Sequence, residues 1–251
     1  MTLTFVTAFL NLKEERPSCR NLHTYVSLFQ HILDSNINIH LYLSPDYYEM
    51  YRDKFSSDKV VVESIRLEDF RAYKELSTIN VQLPAVRNLD KDTYNFLTFI
   101  NSKTELVQKS IHNNVFNATH FAWIDFGIFH IIKNIESTKQ IIHKLSITEL
   151  EDSFLVAVGG CHRRPYLDFS NVYWRFFGGF FIGDIQSILE IDNLYKDYFL
   201  RITKQYGIIT WEANMWGSFE HLFNWNPIVY LANFNDTIFE NIPFDKIQNL
   251  P

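Results

Sequence analysis

Asp125 directly follows the apolar run Phe-Ala-Trp-Ile at 121–124, and Gly127 lies two positions further on. The run has the composition of a buried strand. In an α/β fold, ligands gather outside the carboxyl ends of the strands, so a lone carboxylate at such an end is well placed for chemistry. The alternative is that Asp125 caps the turn or helix that follows, which aspartate often does. These residues alone leave both interpretations open.

A second unusual feature is the glycine pair Gly178-Gly179 within an aromatic run. Glycine weakens a strand, so a pair indicates a bend, a bulge or a close approach by a ligand. A simple bulge is therefore an open alternative. Phe180 and Phe181, with Arg175 before them, would offer a stacking surface beside a cation, which suits a sugar diphosphate.

Glu212 lies between tryptophans in the segment 210–216, where Thr210 is expected to cap a helix. An acid flanked by aromatic residues is a candidate general base for carbohydrate chemistry. The alternative is an ordinary acid in a first helical turn, where the helix dipole favours it.

Lys103 is expected in the middle of a helix, where a lysine is ordinarily solvated. His221 and Asp236 are the later residues that could join Asp125 around a metal ion. Each of them, taken alone, is more often structural than functional.

The composition excludes several classes of protein. Hydrophobic residues make up 47% of the 251 residues and charged residues 21%, which is typical of a globular chain. The net charge of −6 and the pI near 5.8 argue against a general nucleic-acid binder. Cys19 and Cys161 give neither metal-ligand spacing nor a disulfide framework, which fits a cytoplasmic location. No apolar window reaches the length of about 18 residues that a transmembrane segment needs, although peripheral membrane association stays open.

Hydrophobic periodicity predicts the elements that must hold these residues. Strands are expected at 3–9, 37–43, 60–63, 121–124, 154–159, 173–182 and 228–232. Helices are expected at 22–35, from Pro45, in one long stretch from Thr93 through Ile111, at 137–147 and at 185–206. The stretches 66–91 and 236–251 are expected to be irregular. The alternation of strand and helix at the start is typical of a parallel sheet with helices on its faces.

Together these stretches resemble the HtrL/YibB-like family of proposed glycosyltransferases. The resemblance covers roughly residues 3–235, and its motifs occur in the expected order. The blocks that carry it are Phe-Val-Thr-Ala-Phe at 5–9, Leu-Tyr-Leu-Ser-Pro at 41–45, Asn-Ser-Lys at 101–103, Phe-Ala-Trp-Ile-Asp-Phe-Gly at 121–127, Gly-Gly-Phe-Phe-Ile-Gly at 178–183 and Glu-Ala-Asn-Met-Trp at 212–216.

The resemblance implies a GT-A-like, Rossmann-like α/β fold with a mixed, mostly parallel sheet flanked by helices. Residues 1–251 would form a single domain, with a nucleotide-binding half at 1–127 and an acceptor half at 128–251. The implied activity is transfer of a sugar from a nucleotide-sugar donor, expected to be a UDP-sugar, to a hydroxyl of a glycan or other acceptor.

We predict that Asp125 and Glu212 are the catalytic residues, with Asp125 at the metal and diphosphate and Glu212 on the acceptor side. Carried over by position, the resemblance implies that the donor is bound by Thr7, Ala8, Phe9, Lys103, Asp125, Gly178 and Gly179. Arg175 is predicted to bind the donor beside them. Those predicted to bind the acceptor are Phe180, Trp211 and Glu212. Those predicted to bind a divalent cation, Mn²⁺ or Mg²⁺, are Asp125, Asp236 and His221.

One departure from the GT-A pattern is Gly127, because the usual signature has two aspartates separated by one residue. One carboxylate can still bind Mg²⁺ or Mn²⁺ when phosphates and water complete the shell. Alternatively the metal is weak or absent, and Lys103 or Arg175 neutralises the diphosphate. The alternative function is thus a non-catalytic sugar- or nucleotide-binding member with a decayed metal site. A nucleotidyltransferase ranks last because residues 7–21 contain no glycine for a phosphate loop.

Overall fold

The computed structural model describes residues 2–12, 21–152, 154–163 and 168–248. Its seven-stranded sheet has the order β3-β2-β1-β4-β6-β5-β7, the strands being β1 (Leu3–Phe9), β2 (Asn38–Leu43), β3 (Val60–Ser64), β4 (His120–Ile124), β5 (Leu155–Gly159), β6 (Phe180–Asp184) and β7 (Ile228–Leu231). Neighbouring strands are parallel except where β6 pairs with β4 and with β5. The predicted mixed, mostly parallel sheet is therefore confirmed.

Helices cover both faces of the sheet. They are α1 (Leu22–Leu33), α2 (Pro45–Phe55), α3 (Arg71–Leu76), α4 (Tyr94–Ile100), α5 (Lys103–Asn113), α6 (Ile135–Ile147), α7 (Ile185–Tyr206), α8 (Glu212–Leu222), α9 (Thr237–Glu240) and α10 (Phe244–Ile247). Because successive strand residues point to opposite faces, Trp123 packs into the apolar cluster under α4, α5, α7 and α8. Ile124 packs into the cluster under α1, α2, α6 and α9. Within the described ranges, no helix is both long and apolar enough to cross a membrane.

The prediction of one long helix from Thr93 was wrong, because Asn101 and Ser102 divide it into α4 and α5. The Asn101 side chain donates to the carbonyls of Leu97 and Thr210, and the Ser102 hydroxyl donates to the carbonyl of Thr98. Such side chains compete with the helical backbone hydrogen bonds. Lys103 therefore begins a helix instead of lying in the middle of one.

Three other boundaries differ from the prediction. The strand expected at 173–182 begins only at Phe180, after the glycine pair. The stretch expected to be irregular at 66–91 contains α3, and the tail contains α9 and α10. Cys19 lies outside the described residues, and Cys161 is a free thiol.

One edge of the sheet collects the candidate residues. The carboxyl ends of β1, β4, β5 and β7 lie along it, and β6 begins there because it runs antiparallel to its neighbours. Asp125 follows β4 and Gly179 precedes β6, and the Asp125 amide donates to the Gly179 carbonyl over 2.9 Å. The fold thus places the predicted carboxylate beside the predicted glycine pair.

Candidate functional site

The ammonium of Lys103 lies at the centre of the site. It is 2.9 Å from Oδ1 of Asp125 and 2.9 Å from Oε1 of Glu212, and it donates to the carbonyl of Gly178 over 2.7 Å. An ammonium has three protons, so these acceptors satisfy it completely. The prediction that Lys103 is a solvated surface residue was wrong, because its side chain is only 3% exposed.

Opposing effects act on the pKa of Lys103. Burial disfavours its charged form, whereas attraction to Asp125 and Glu212 and hydrogen bonds to both favour it. The balance raises the pKa of Lys103 above its usual value. The Trp123 ring lies 5.6 Å from the ammonium and adds a cation–π contact. Lys103 is therefore a permanent cation at neutral pH.

Asp125 has one occupied and one open carboxylate oxygen. Oδ1 accepts from the indole Nε1 of Trp123 over 2.7 Å and from Lys103. Oδ2 accepts no hydrogen bond from any described residue, and the side chain is 41% exposed. The 3₁₀ turn at Ile128–Ile131 receives no side-chain cap, so Asp125 does not act as the capping residue that was the alternative. Its Oδ2 is available to a ligand.

Gly178 allows the backbone to pass directly over Glu212. A Cβ at position 178 would lie 2.1 Å from Oε1 of Glu212, so any side chain there would displace Glu212. A Cβ at Gly179 would lie 3.4 Å from Oδ2 of Asp125. The glycine pair precedes β6, so it is a close approach of backbone to carboxylates and not a bulge within the strand.

Glu212 is the first residue of α8, where the helix dipole favours its charge. Its side chain is 11% exposed and its Oε1 faces Lys103. The Glu212 carboxylate therefore lies beneath the glycine pair, and Lys103 bridges it to the Asp125 carboxylate.

Gly127 occupies the position of the second aspartate in the GT-A signature. A Cβ there would lie 2.9 Å from the ring of Tyr25. The space that a carboxylate would need is filled by an α1 side chain. Packing accounts for glycine at this position.

The three residues predicted to hold the nucleotide lie at the end of β1. Thr7 and Ala8 are buried, and the Thr7 hydroxyl has no hydrogen-bond partner among the described residues. The ring of Phe9 is stacked between Tyr47, at 5.0 Å, and Phe126, at 4.6 Å. Both faces of Phe9 are thus occupied, and the Tyr25 ring also contacts it, with the centroids 4.9 Å apart.

We call Lys103, its ion-pair partners Asp125 and Glu212, and the Gly178 carbonyl the Lys103 cluster. The structure does not bring Arg175 to it. The guanidinium of Arg175 is buried and binds Glu220 through Nε at 3.0 Å and Nη2 at 2.6 Å. Its Nη1 donates to the Cys161 carbonyl. Such a bidentate pair fixes the segment around Arg175.

The predicted metal ligands do not come together as a preformed site. No described part of the chain contains a group of three or more His, Cys, Asp or Glu residues that could hold a metal ion, so Asp125, Asp236 and His221 do not form one. Oδ1 of Asp236 accepts from the amides of Lys133 and Asn134 instead.

Two of the predicted acceptor residues belong to the core. Phe180 is fully buried against Phe239, and Trp211 is also buried. Neither ring offers a face to an incoming sugar.

Two partners of Asp125 were not singled out from the sequence, namely the Trp123 indole and the Gly179 carbonyl. Trp123 could have been found, because residues two apart on a strand point to the same face. The Gly179 contact depends on the pairing of β4 with β6, which no local pattern reveals.

A family model described as a bacterial protein of unknown function (HtrL_YibB) matches residues 1–210. No curated protein sequence gives a significant match. Similar solved structures include a glycosyltransferase involved in the glycosylation of the major capsid of PBCV-1, with 7% identity, a TM-score of 0.48 and coverage of 93% of this chain and 82% of that one.

Two further structures show a comparable likeness. Mouse xyloside xylosyltransferase 1 in its apo form is 10% identical, with a TM-score of 0.44 and coverage of 91% of this chain and 84% of that chain. The Rv0371C protein of Mycobacterium tuberculosis H37Rv, in complex with manganese, is 9% identical, with a TM-score of 0.42 and coverage of 92% and 88%.

Proposed function

Because the chain belongs to the HtrL_YibB family of bacterial proteins, we propose that its Lys103 cluster is the active site of a nucleotide-sugar-dependent glycosyltransferase of GT-A type. The observation that carries the proposal is the open Oδ2 of Asp125, held at a strand end by Trp123 and Lys103. A strand end beside a glycine pair is where an α/β fold admits a phosphorylated ligand.

The charges of the cluster indicate how the donor would bind. With Asp125 and Glu212 ionised and Lys103 protonated, the sum is −1, which repels a diphosphate. A divalent cation would reverse this sign, and Asp125 Oδ2 would be its protein ligand while donor phosphates and water supply the others. Mn²⁺ or Mg²⁺ bound there would supply positive charge to the leaving nucleoside diphosphate.

Each residue of the cluster has a separate task in this proposal. Asp125 would hold, through its open oxygen, the cation that faces the donor diphosphate. Lys103 fixes the Asp125 rotamer and offsets its charge, and all three of its protons stay with protein acceptors. Glu212 holds Lys103 from the other side. A base role for Glu212 toward the acceptor hydroxyl needs its second oxygen to reach that hydroxyl.

Thermal unfolding with UDP and UDP-sugars, each with and without Mn²⁺, tests the proposal. Ligand at about 100 times its Kd stabilises a protein by about 2.7 kcal/mol, so specific binding gives a clear shift. We expect UDP to stabilise the protein in the presence of Mn²⁺. We also expect the protein to hydrolyse a UDP-sugar slowly, which is measured as released UDP. Hydrolysis that survives in both Asp125→Ala and Glu212→Ala would contradict the residue assignment.

A non-catalytic binding protein is the second candidate. It is favoured by Gly127, since Tyr25 fills the space of a second metal-binding aspartate. Stabilisation by UDP without release of UDP from any UDP-sugar would support this candidate.

A further inference from the structure

Exposed aromatic rings lie along the same sheet edge as the Lys103 cluster. Trp174 is 49% exposed and Phe234 is 53% exposed, although both are large apolar side chains. Their ring centroids are 6.5 Å apart, and the buried Phe177 ring touches both, with each centroid at 5.8 Å. The His130 ring contacts Phe234 at 6.0 Å. We define Trp174, Phe177, Phe234 and His130 as the aromatic platform.

The aromatic platform is continuous with the proposed active site. Phe177 immediately precedes Gly178, whose carbonyl accepts from Lys103. His130 lies in the turn that follows Asp125, and Phe234 lies just beyond the carboxyl end of β7. In the sheet order, β7 is three strands from β4, a distance of about 14 Å at the usual spacing. That span would accommodate sugar units between Phe234 and Asp125.

The segment that carries Trp174 is anchored on several sides. The Tyr173 amide donates to Oδ1 of Asn214 over 2.7 Å, and the Phe177 amide donates to the Val158 carbonyl over 2.8 Å. Between Tyr173 and Phe177, Arg175 is held by its buried ion pair with Glu220. Gly160 donates to the Trp174 carbonyl, and a Cβ on it would lie 2.6 Å from both that oxygen and the Phe177 ring. An exposed tryptophan on a fixed backbone is preorganised for binding.

From these contacts we propose that the aromatic platform binds a neutral pyranose ring of the acceptor by stacking on Trp174 and Phe234. The proposal rests on the proposed function, because it gives that site its acceptor side. Rings that are half exposed match the apolar C–H face of a pyranose. Two of the three acceptor residues predicted from sequence, Phe180 and Trp211, are buried and offer no surface for stacking.

Saturation-transfer NMR with cellobiose, maltose and lactose tests the aromatic platform without knowledge of the natural acceptor. We expect transfer to the pyranose C–H protons of at least one disaccharide. Trp174→Ala and Phe234→Ala should weaken binding about tenfold, the effect of losing one good aromatic contact. Trp174→Tyr, which keeps a ring, should bind nearly as well as the wild type. Met50→Ala is the matched control, because Met50 is an exposed apolar residue on α2.

Acrylamide quenching provides a second measurement. Trp174 is exposed, whereas the remaining tryptophans are buried, namely Trp123, Trp211, Trp216 and Trp225. Quenching therefore reports mainly on Trp174, and the bound disaccharide should reduce it in the wild type.

The outcomes separate this proposal from the proposed function. Equal transfer in wild type, Trp174→Ala and Phe234→Ala, or no transfer from wild type to any disaccharide, would overturn the aromatic platform. If the same wild-type protein releases UDP from a UDP-sugar, the proposed function survives that result. Ring-dependent disaccharide binding without any UDP or UDP-sugar binding would instead keep the platform and overturn the glycosyltransferase.

Discussion

Gly178 lies so close over Glu212 that a Cβ built on its backbone would be 2.1 Å from the carboxylate oxygen Oε1. The same glycine accepts a hydrogen bond from Lys103, which binds that carboxylate over 2.9 Å. The backbone of Gly178 thus covers Lys103 and Glu212 without any side chain. A side chain there would push apart the groups that fix Asp125.

Gly178→Ala should therefore destabilise the protein by about 1–3 kcal/mol, the usual cost of overpacking a buried position. It should also lower UDP-sugar hydrolysis by displacing Glu212 and Lys103. Urea unfolding measures the first effect. The control is Gly217→Ala, within α8, where the nearest atom outside the helix's own backbone, Cδ1 of Tyr173, would be 3.9 Å from a new Cβ. Because alanine favours a helix by about 0.5–1 kcal/mol over glycine, the control should be neutral or stabilising. Equal effects of both changes would contradict the close approach.

Lys103→Met should destabilise the protein by about 3 kcal/mol, because it leaves the mostly buried Glu212 carboxylate without its cation. Asp125 is 41% exposed, so water can solvate its carboxylate once Lys103 is removed. Its share of the lost stability should therefore be small. Urea unfolding at pH 8 measures the difference. The control is Lys196→Met, an exposed lysine on α7, which should change stability by less than about 0.5 kcal/mol.

The effect of Lys103 should depend on alkaline pH. Its pKa is raised in the folded protein, so the folded state holds the proton more tightly than the unfolded chain. The stabilisation is complete below the unfolded pKa of about 10.4 and is lost as pH rises through the higher folded value. The difference in free energy of unfolding between wild type and Lys103→Met should therefore shrink above about pH 10.5. A stability difference between the two proteins that stays constant to pH 12 would contradict the ion pairs of Lys103 with Asp125 and Glu212.

His40 on β2 should make the protein sensitive to acid. Burial lowers the pKa of His40, and the attraction of Glu63, 3.2 Å from Nε2, offsets only part of that shift. The unfolded chain takes up the proton first, so stability should fall as pH decreases from about 6.5 toward the lower folded value. Glu63→Gln should make this acid loss larger, because it removes the attraction that favours the imidazolium. Urea unfolding between pH 8 and pH 5 measures it, and a smaller loss in Glu63→Gln would contradict this account.

The strands and most helices could be predicted because their signals are local. β4 carries the unbroken apolar run at 121–124, β1 and β2 are mostly apolar, and Asp184 caps α7 by accepting from the amides of Gln186 and Ser187. The helix break before Lys103 could not be predicted from the sequence, because Asn101 is held in part by the Thr210 carbonyl, 109 residues away in sequence. The burial of Lys103 follows from that break.

The candidate site divides in the same way. Asp125, Glu212 and the glycine pair have residue types and flanking patterns that indicate chemistry, and the structure brings them together. Arg175 and Phe180 have equally suggestive types, but Glu220 and Phe239 engage them in tertiary contacts. Residue type shows what a side chain can do, while a distant partner decides whether it is available.

Asp125→Asn should separate the charge of the open oxygen from the structure around it. The asparagine carbonyl can still accept from Trp123 and Lys103, so the thermal midpoint without ligand should change little. The Mn²⁺-dependent stabilisation by UDP should disappear, and UDP-sugar hydrolysis should fall by about 10²–10³, the usual effect of removing one electrostatic contact to a transition state. Asp53→Asn is the control, because its side chain is 94% exposed on α2. Hydrolysis and a Mn²⁺ response at wild-type levels in Asp125→Asn would show that this carboxylate does not hold the donor.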